Sequence, residues 1–349
     1  MNSIALEDDL IPDDLFPFTL TRSAADIRVG ILTIREKWER LFQYSTRPDP
    51  EEKASILSIP ANLLPTVSLV EAIEKKNLNN IETLLKNHSK KIRYPWHIVQ
   101  SNAEEIASDF ELLTRQRISQ PLSATNRVTS SGNIFMEEGA CVEFAILNAS
   151  AGPIYIGRNT QIMEGAMIRG PFALCEGAVV KMGAVIYGAT TIGPSCVVGG
   201  EIKNSLIFGY SNKAHEGYLG DSVIGEWCNL GAGTSNSNLK NNAGEVKVWS
   251  ESKKMFLAAG VKCGLFMGDY SKSAINTAFN TGTVTGVCCN IFGEGLTPPY
   301  IPSFSWGYRG SPKYKIENAL SDIAFWKKMK NQSLSEREIQ TLKHIFNQS

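Results

Sequence analysis

Few side chains in this 349-residue chain suit proton transfer or nucleophilic work near neutral pH: four histidines, His88, His97, His215 and His344, and seven cysteines. Histidine is the base whose ordinary pKa fits neutral solution. His88, His97 and His344 read as isolated surface residues, whereas His215 lies where a regular pattern in the chain breaks. The cysteines start at Cys141 and form no CxxC pair, only the adjacent Cys288 and Cys289. Reduced thiols packed as small hydrophobes are therefore expected, not disulfides or a cysteine zinc site. A zinc centre with three histidine ligands is excluded by count, since His215 is the one histidine between residue 131 and the tail, and no metal set is expected. Phosphate chemistry on a glycine-rich loop needs several glycines close together. Gly30 is the only glycine before Gly132, and 28 of the 29 follow, so the N-terminal third lacks such a loop.

The late glycines belong to a repeat that would position His215. Steps of six from Ile156 reach Ile162, Ile168, Leu174, Val180, Ile186, Ile192 and Val198 without a miss. Four residues after each stand Thr160, Ala166, Phe172, Ala178, Ala184, Thr190, Cys196 and Ile202, mostly small, with glycine or proline between. A period of six fits neither a helix nor a simple sandwich; it fits a solenoid of short strands with one aliphatic residue inward per face and tight turns at the corners. Ile134, Phe144 and Ile154 read as an irregular entry coil, and Ile224 and Leu230 resume the step. Between Val198 and Ile224 the period fails, which reads as an insertion carrying His215, and insertions in solenoids gather on the working face. Glycine-rich residues 264–295 would add less regular coils. Ser335 to Glu338 makes a capping box before Ile339, Leu342 and Ile345, so a helical tail is expected from about Lys315.

The expected fold is mainly β: a left-handed parallel β-helix of hexapeptide repeats over 131–312, preceded by a small α/β or helix-rich domain over 1–130 and followed by a C-terminal helix over 313–349. Thirty-five basic residues balance thirty-five acidic ones, so no net field draws nucleic acid or an anionic membrane. No apolar run approaches about 18 residues and the N-terminus is acidic, so a soluble cytoplasmic protein is expected.

The run SNKAHEGYLGDSVIGEWCNLGAGTSNSN resembles the acetyltransferase half of the bifunctional UDP-N-acetylglucosamine pyrophosphorylase and glucosamine-1-phosphate N-acetyltransferase family. PFTLTRSAADIRVGILTIREKW and MGDYSKSAINTAFNTGTVTGV resemble sugar nucleotidyltransferases with a C-terminus of this type. The resemblance implies an acyl-CoA-dependent N-acyltransferase acting on an amino-sugar phosphate or sugar nucleotide, with acetyl-CoA as co-substrate and a homotrimer as the assembly. It implies His215 as catalytic base, Lys203 and Tyr218 as substrate-binding residues, and Asn229 and Asn238 as sugar-site or acyl-transfer asparagines, with Asn238 as a candidate oxyanion donor. The chain departs from the family where a tyrosine should follow Asn238 and Leu239 stands instead, and its nearest candidate for the phosphate arginine, Arg169, is nearly two coils from Lys203. Lys247 is a shifted counterpart of a later lysine. Read without the resemblance, the asparagines are equally turn or ladder residues, Tyr218 a packing residue and Cys228 a small core residue.

In the N-terminal third, Arg22, Arg28 and Lys37 would face phosphate if a nucleotide site survives, with Asp26 on Mg2+. About 130 residues is short for such a domain, so a helix-rich remnant supporting the β-helix is the other reading. Two alternatives to the acyltransferase stay open: a sugar-1-phosphate nucleotidyltransferase with a scaffolding β-helix, and a non-catalytic interaction protein on the same fold.

Overall fold

The structure, a computed structural model, describes residues 3–10, 14–42, 56–75, 81, 83–85, 90–308 and 312–349. His88 lies outside the described residues. The inward aliphatics stack as the six-residue period requires. Among the described residues, three parallel sheets of nine, eight and six strands line the faces of a solenoid running from Arg127–Thr129 to Tyr300–Ile301. The chain is a parallel β-solenoid. In the nine-stranded sheet Leu174 pairs with Ile156 on one side and Ile192 on the other, and all eight aliphatics from Ile156 to Val198 are buried. Each exposed strand edge is thereby satisfied by the next coil, which removes the penalty of unpaired backbone groups. Small residues fill the corners: Cys196, Ser211, Cys228, Ser271 and Cys289 are all buried, and the Ser211 hydroxyl donates to the Gly225 carbonyl at 2.7 Å.

Two expectations need correction. Phe144 is 60% exposed because its backbone takes a left-handed corner conformation; the entry coil points Met136, Val142 and Leu147 inward instead. The break after Val198 is no insertion. Ile192 pairs with Ile207 and Ile207 with Ile224, so these coils are complete but hold 15 and 17 residues, which destroys the six-residue step without stopping the winding. The true excursion comes later, between Leu239 and Lys262, where an antiparallel hairpin of Val246–Ser250 and Met255–Gly260 leaves the solenoid before Met267 pairs back onto Ile224.

Among the described residues the N-terminal part is helix-rich, with α1 (Ile34–Phe42), α2 (Val67–Glu74), α3 (Pro95–Thr114) and one parallel strand pair, Ser3–Glu7 on Ile56–Pro60. Helix α3 begins with a proline in its first turn, where the missing N–H costs nothing, and buries Ile98, Val99, Ile106, Phe110 and Leu113. This part shares one hydrophobic core with the nine-stranded sheet: Phe18 packs on Phe208 at 5.3 Å between ring centres, beside Leu206, Val223, Phe266 and Val284. The excursion hairpin adds Val246, Val248 and Ala259, and its Ser250 hydroxyl donates to Asp14 at 2.7 Å. After the last coil, α4 (Ile316–Met329) and α5 (Glu336–Gln348) pack Ile323, Leu342 and Ile345 against Trp227, Tyr270 and Phe304. The capping box at Ser335 and Glu338 forms as expected.

Candidate functional site

His215 sits at the corner between strand Asn212–Lys213 of the eight-stranded sheet and strand Tyr218–Gly220 of the six-stranded sheet. Its side chain is exposed, has no hydrogen bond or ion pair among the described residues, and lines an open cleft of about 450 Å3 with Asn212, Asn229 and Ile275. The corner is held from inside by a residue that sequence reasoning missed. Lys213 pairs with Val198 in the ladder and takes a position whose other members include Val180 and Val198, so its stem lies in the core. Its ammonium donates to the carbonyls of His215 at 2.6 Å and Gly199 at 3.0 Å. Burial, offset only in part by Glu216, lowers the Lys213 pKa to about 8. The signal was present in the sequence: a lysine where the inward row calls for an aliphatic residue.

Asn229 stacks on Asn212, whose Nδ2 donates to the Asn229 Oδ1 at 3.4 Å. The Asn229 NH2 has no described acceptor, and Asn229 lines the cleft with His215. Asn238 is used differently. Its Nδ2 donates to the Tyr218 hydroxyl at 3.1 Å and to Asp221 at 2.5 Å, so both amide hydrogens are engaged. Asn204 also donates to Asp221, at 2.6 Å, and Asn204 and Asp221 both take left-handed corner conformations, the geometry their residue types tolerate. Asn238 itself keeps an ordinary backbone conformation, and its amide hydrogens are engaged by Tyr218 and Asp221.

Tyr218 and Lys203 lie on the outer surface of the six-stranded sheet, where Glu201 pairs with Tyr218 and Lys203 with Gly220. A Cβ at Gly220 would meet the Tyr218 hydroxyl at 2.2 Å, so a larger residue there would push the Tyr218 ring aside. Burial, then the charge of Asp221, raises the Tyr218 phenol to about 12, so it stays protonated and keeps a hydrogen to donate. The Lys203 ammonium stands 5.5 Å from the Tyr187 ring centre and makes no described ion pair. The fold thus groups the five residues in two sets, His215 with Asn229 at the corner and Lys203, Tyr218 and Asn238 across the adjoining sheet face. Arg169 stands on the same six-stranded sheet, two strands from Lys203, and Lys247 lies on the excursion hairpin.

The N-terminal candidates are placed otherwise. Arg22 is ion-paired to buried Asp269 and, at 3.4 Å, to Glu226; burial works against its charge, but these carboxylates outweigh it and hold the guanidinium above the ordinary range. Arg28 donates to the Ile31 carbonyl and reaches Glu36 at 3.7 Å. Lys37 is buried between Asp109 and Glu105, the latter at 2.9 Å. The Asp26 carboxylate faces Arg35 at 2.7 and 3.3 Å. No trio of His, Cys, Asp or Glu side chains converges among the described residues. Arg22 and Asp26 line an open cleft with Arg35 and Glu226, each already facing an opposite charge.

The sequence model of a family described as sugar nucleotidyl transferase matches residues 4–89. The bifunctional protein GlmU of Methanococcus maripaludis is 29% identical over 240 residues, covering 66% of this chain and 51% of that protein. The bifunctional sugar-1-phosphate nucleotidylyltransferase/acetyltransferase of Sulfurisphaera tokodaii is 37% identical over 92 residues, 26% of this chain and 23% of that one. The chain resembles two-function sugar transferases. It spans about half the length of the M. maripaludis relative, and less of the other. A solved UDP-N-acetylglucosamine acyltransferase from Campylobacter jejuni aligns at 13% identity and a TM-score of 0.21, over 64% of this chain and 95% of that one. The solenoid assignment rests on the strand registers of this structure. The matched N-terminal segment is the one whose charged residues are paired, while the corner with His215 keeps its side chain unpaired. No helix among the described residues is long and apolar enough to cross a membrane.

Proposed function

We propose that the chain is an acyl-CoA-dependent N-acyltransferase acting on an amino-sugar phosphate or a nucleotide-linked amino sugar. The observation that carries this reading is the unpartnered His215 imidazole beside the free Asn229 amide in an open cleft, one short strand from Lys203 and Tyr218. His215 removes the proton as the substrate amine attacks the thioester carbonyl; the C–N bond forms, the C–S bond breaks, and the thiolate leaves and is protonated. The Asn229 NH2 donates to the oxyanion, a role that passes to it from Asn238 because Asn238 has both hydrogens engaged. Lys203 meets an anionic group of the substrate as a point charge, and Tyr218 donates its hydroxyl hydrogen. A pantetheine-bearing donor needs more wall than one coil corner offers. Exposed Ile275 on the cleft rim, 69% accessible, and Met182, 68% accessible, are positions a second copy would cover, which supports a trimer with the donor site between copies. Use of an acyl-CoA donor accords with a cytoplasmic reaction.

The test is incubation with acetyl-CoA and a panel of amino-sugar phosphates and UDP-amino sugars, followed by mass spectrometry, with His215→Ala beside the wild type. Acetylation that survives the substitution would overturn the assigned base. Pyrophosphate release with UTP or dTTP and no acetylation would favour the nucleotidyltransferase reading, which the match over residues 4–89 motivates. No turnover with either set would leave a scaffold.

A further inference from the structure

A second cleft, of about 470 Å3, lies where the N-terminal part meets the first coils, on a different edge of the solenoid from His215. Three separate segments bring arginines to it: Arg40 from α1, Arg115 and Arg117 from the connection after α3, and Arg158 from the corner after strand Ile154–Ile156. Arg117 is committed to the fold. It forms a two-point pair with Glu137 at 2.9 and 2.6 Å, caps α3 through the Leu113 carbonyl at 2.9 Å and lies over the Phe135 ring. Tyr155 completes the satisfaction of Glu137 with a 2.7 Å hydrogen bond. Arg40, Arg115 and Arg158 are exposed and make no described side-chain ion pair. Glu137 is paired to Arg117 and also feels the charge of Arg158, and with exposed Glu176 as the other carboxylate the cleft holds four guanidinium groups against two carboxylates.

We propose that this cleft binds a diphosphate group. An excess of two positive charges attracts a multiply charged anion, and guanidinium forks recognise phosphate oxygens in pairs. Apolar Leu112 on one wall and the Tyr155 ring beside it leave room for the rest of a nucleotide, and the volume falls in the range of small-ligand sites. Free pyrophosphate and a nucleoside diphosphate share the recognised group. The site owes nothing to Arg22, Arg28 or Lys37, and it exists only where the N-terminal part docks on the solenoid. It stands independently of the acyltransferase reading.

The test is isothermal titration calorimetry of the full chain with inorganic pyrophosphate and with UDP, on the wild type and on Arg115→Gln combined with Arg158→Gln, with thermal melts to verify folding. Saturable binding is expected, weakened at least about tenfold in the double variant and by added salt. Equal affinity for the two probes would assign the site to the diphosphate alone, tighter UDP to a nucleotide, and both support the proposal. Absence of saturable binding by either probe, or unchanged affinity in a folded double variant, overturns it.

Discussion

The corner around His215 and the segment around Arg22 both carry residue types suited to a sugar-transferase site, and the fold uses them in opposite ways. At the corner, the backbone is satisfied by neighbouring coils and by buried Lys213, so His215, Asn229 and Lys203 are left with open valences. In the N-terminal part the same kinds of side chain are largely buried and paired. A buried charge without a partner costs several kcal/mol, so Arg22, Arg28 and Lys37 are spent on Asp269, Glu36, Asp109 and Glu105. Matching residue types thus show where a site can be, while burial decides whether they remain available for one.

The sharpest way to break the contrast is His215→Ala, expected to lower acetyl transfer by about 10²–10⁴ with an unchanged melting temperature. A comparable fall in stability would make His215 structural. Arg22→Ala should do the reverse, destabilising the fold by about 3–5 kcal/mol in urea denaturation because Asp269 is left buried and unpaired. Loss of nucleotide binding without loss of stability would return Arg22 to a phosphate site. Next, Asn229→Ala should reduce kcat by about 10²-fold, whereas Asn238→Ala should act chiefly through KM by releasing Tyr218. Equal effects on kcat would refute the division of labour between the two asparagines.

Lys213 offers the finest test, through pH. Its pKa falls from 10.5 to about 8 on folding. Below about pH 8 folded and unfolded chains both carry the proton and the burial penalty is fully present. Between about 8 and 10.5 the unfolded chain binds more protons, so stability must rise with pH. Wild type should therefore gain stability relative to Lys213→Met across that window, and a flat difference in denaturation midpoints would place the amine in water.

The solenoid was legible because its cause is local and repeated: one inward aliphatic per face buries the same stripe at every coil, and the run from Ile156 to Val198 records it. His215 was legible for a related reason, since it stands where that record breaks. The meaning of the break was not. Shortened coils and an insertion look alike along one chain, and only the pairings of Ile207 with Ile192 and Ile224 separate them. Lys213 could have been found by extending the inward row past Val198, although a lysine there reads as polar surface until the register is known.

The amino-acid sequence by itself determined the periodic fold and the capped tail, because each follows from interactions between residues near in the chain or one period apart. The tertiary structure decided which charges are free. Arg22 meets Asp269 across 247 positions and Asn102 links Gly30 to Ala189, pairings that depend on how the N-terminal part docks. That docking hides one set of arginines and gathers another around the cleft beside Tyr155, and no spacing within a single segment records either outcome.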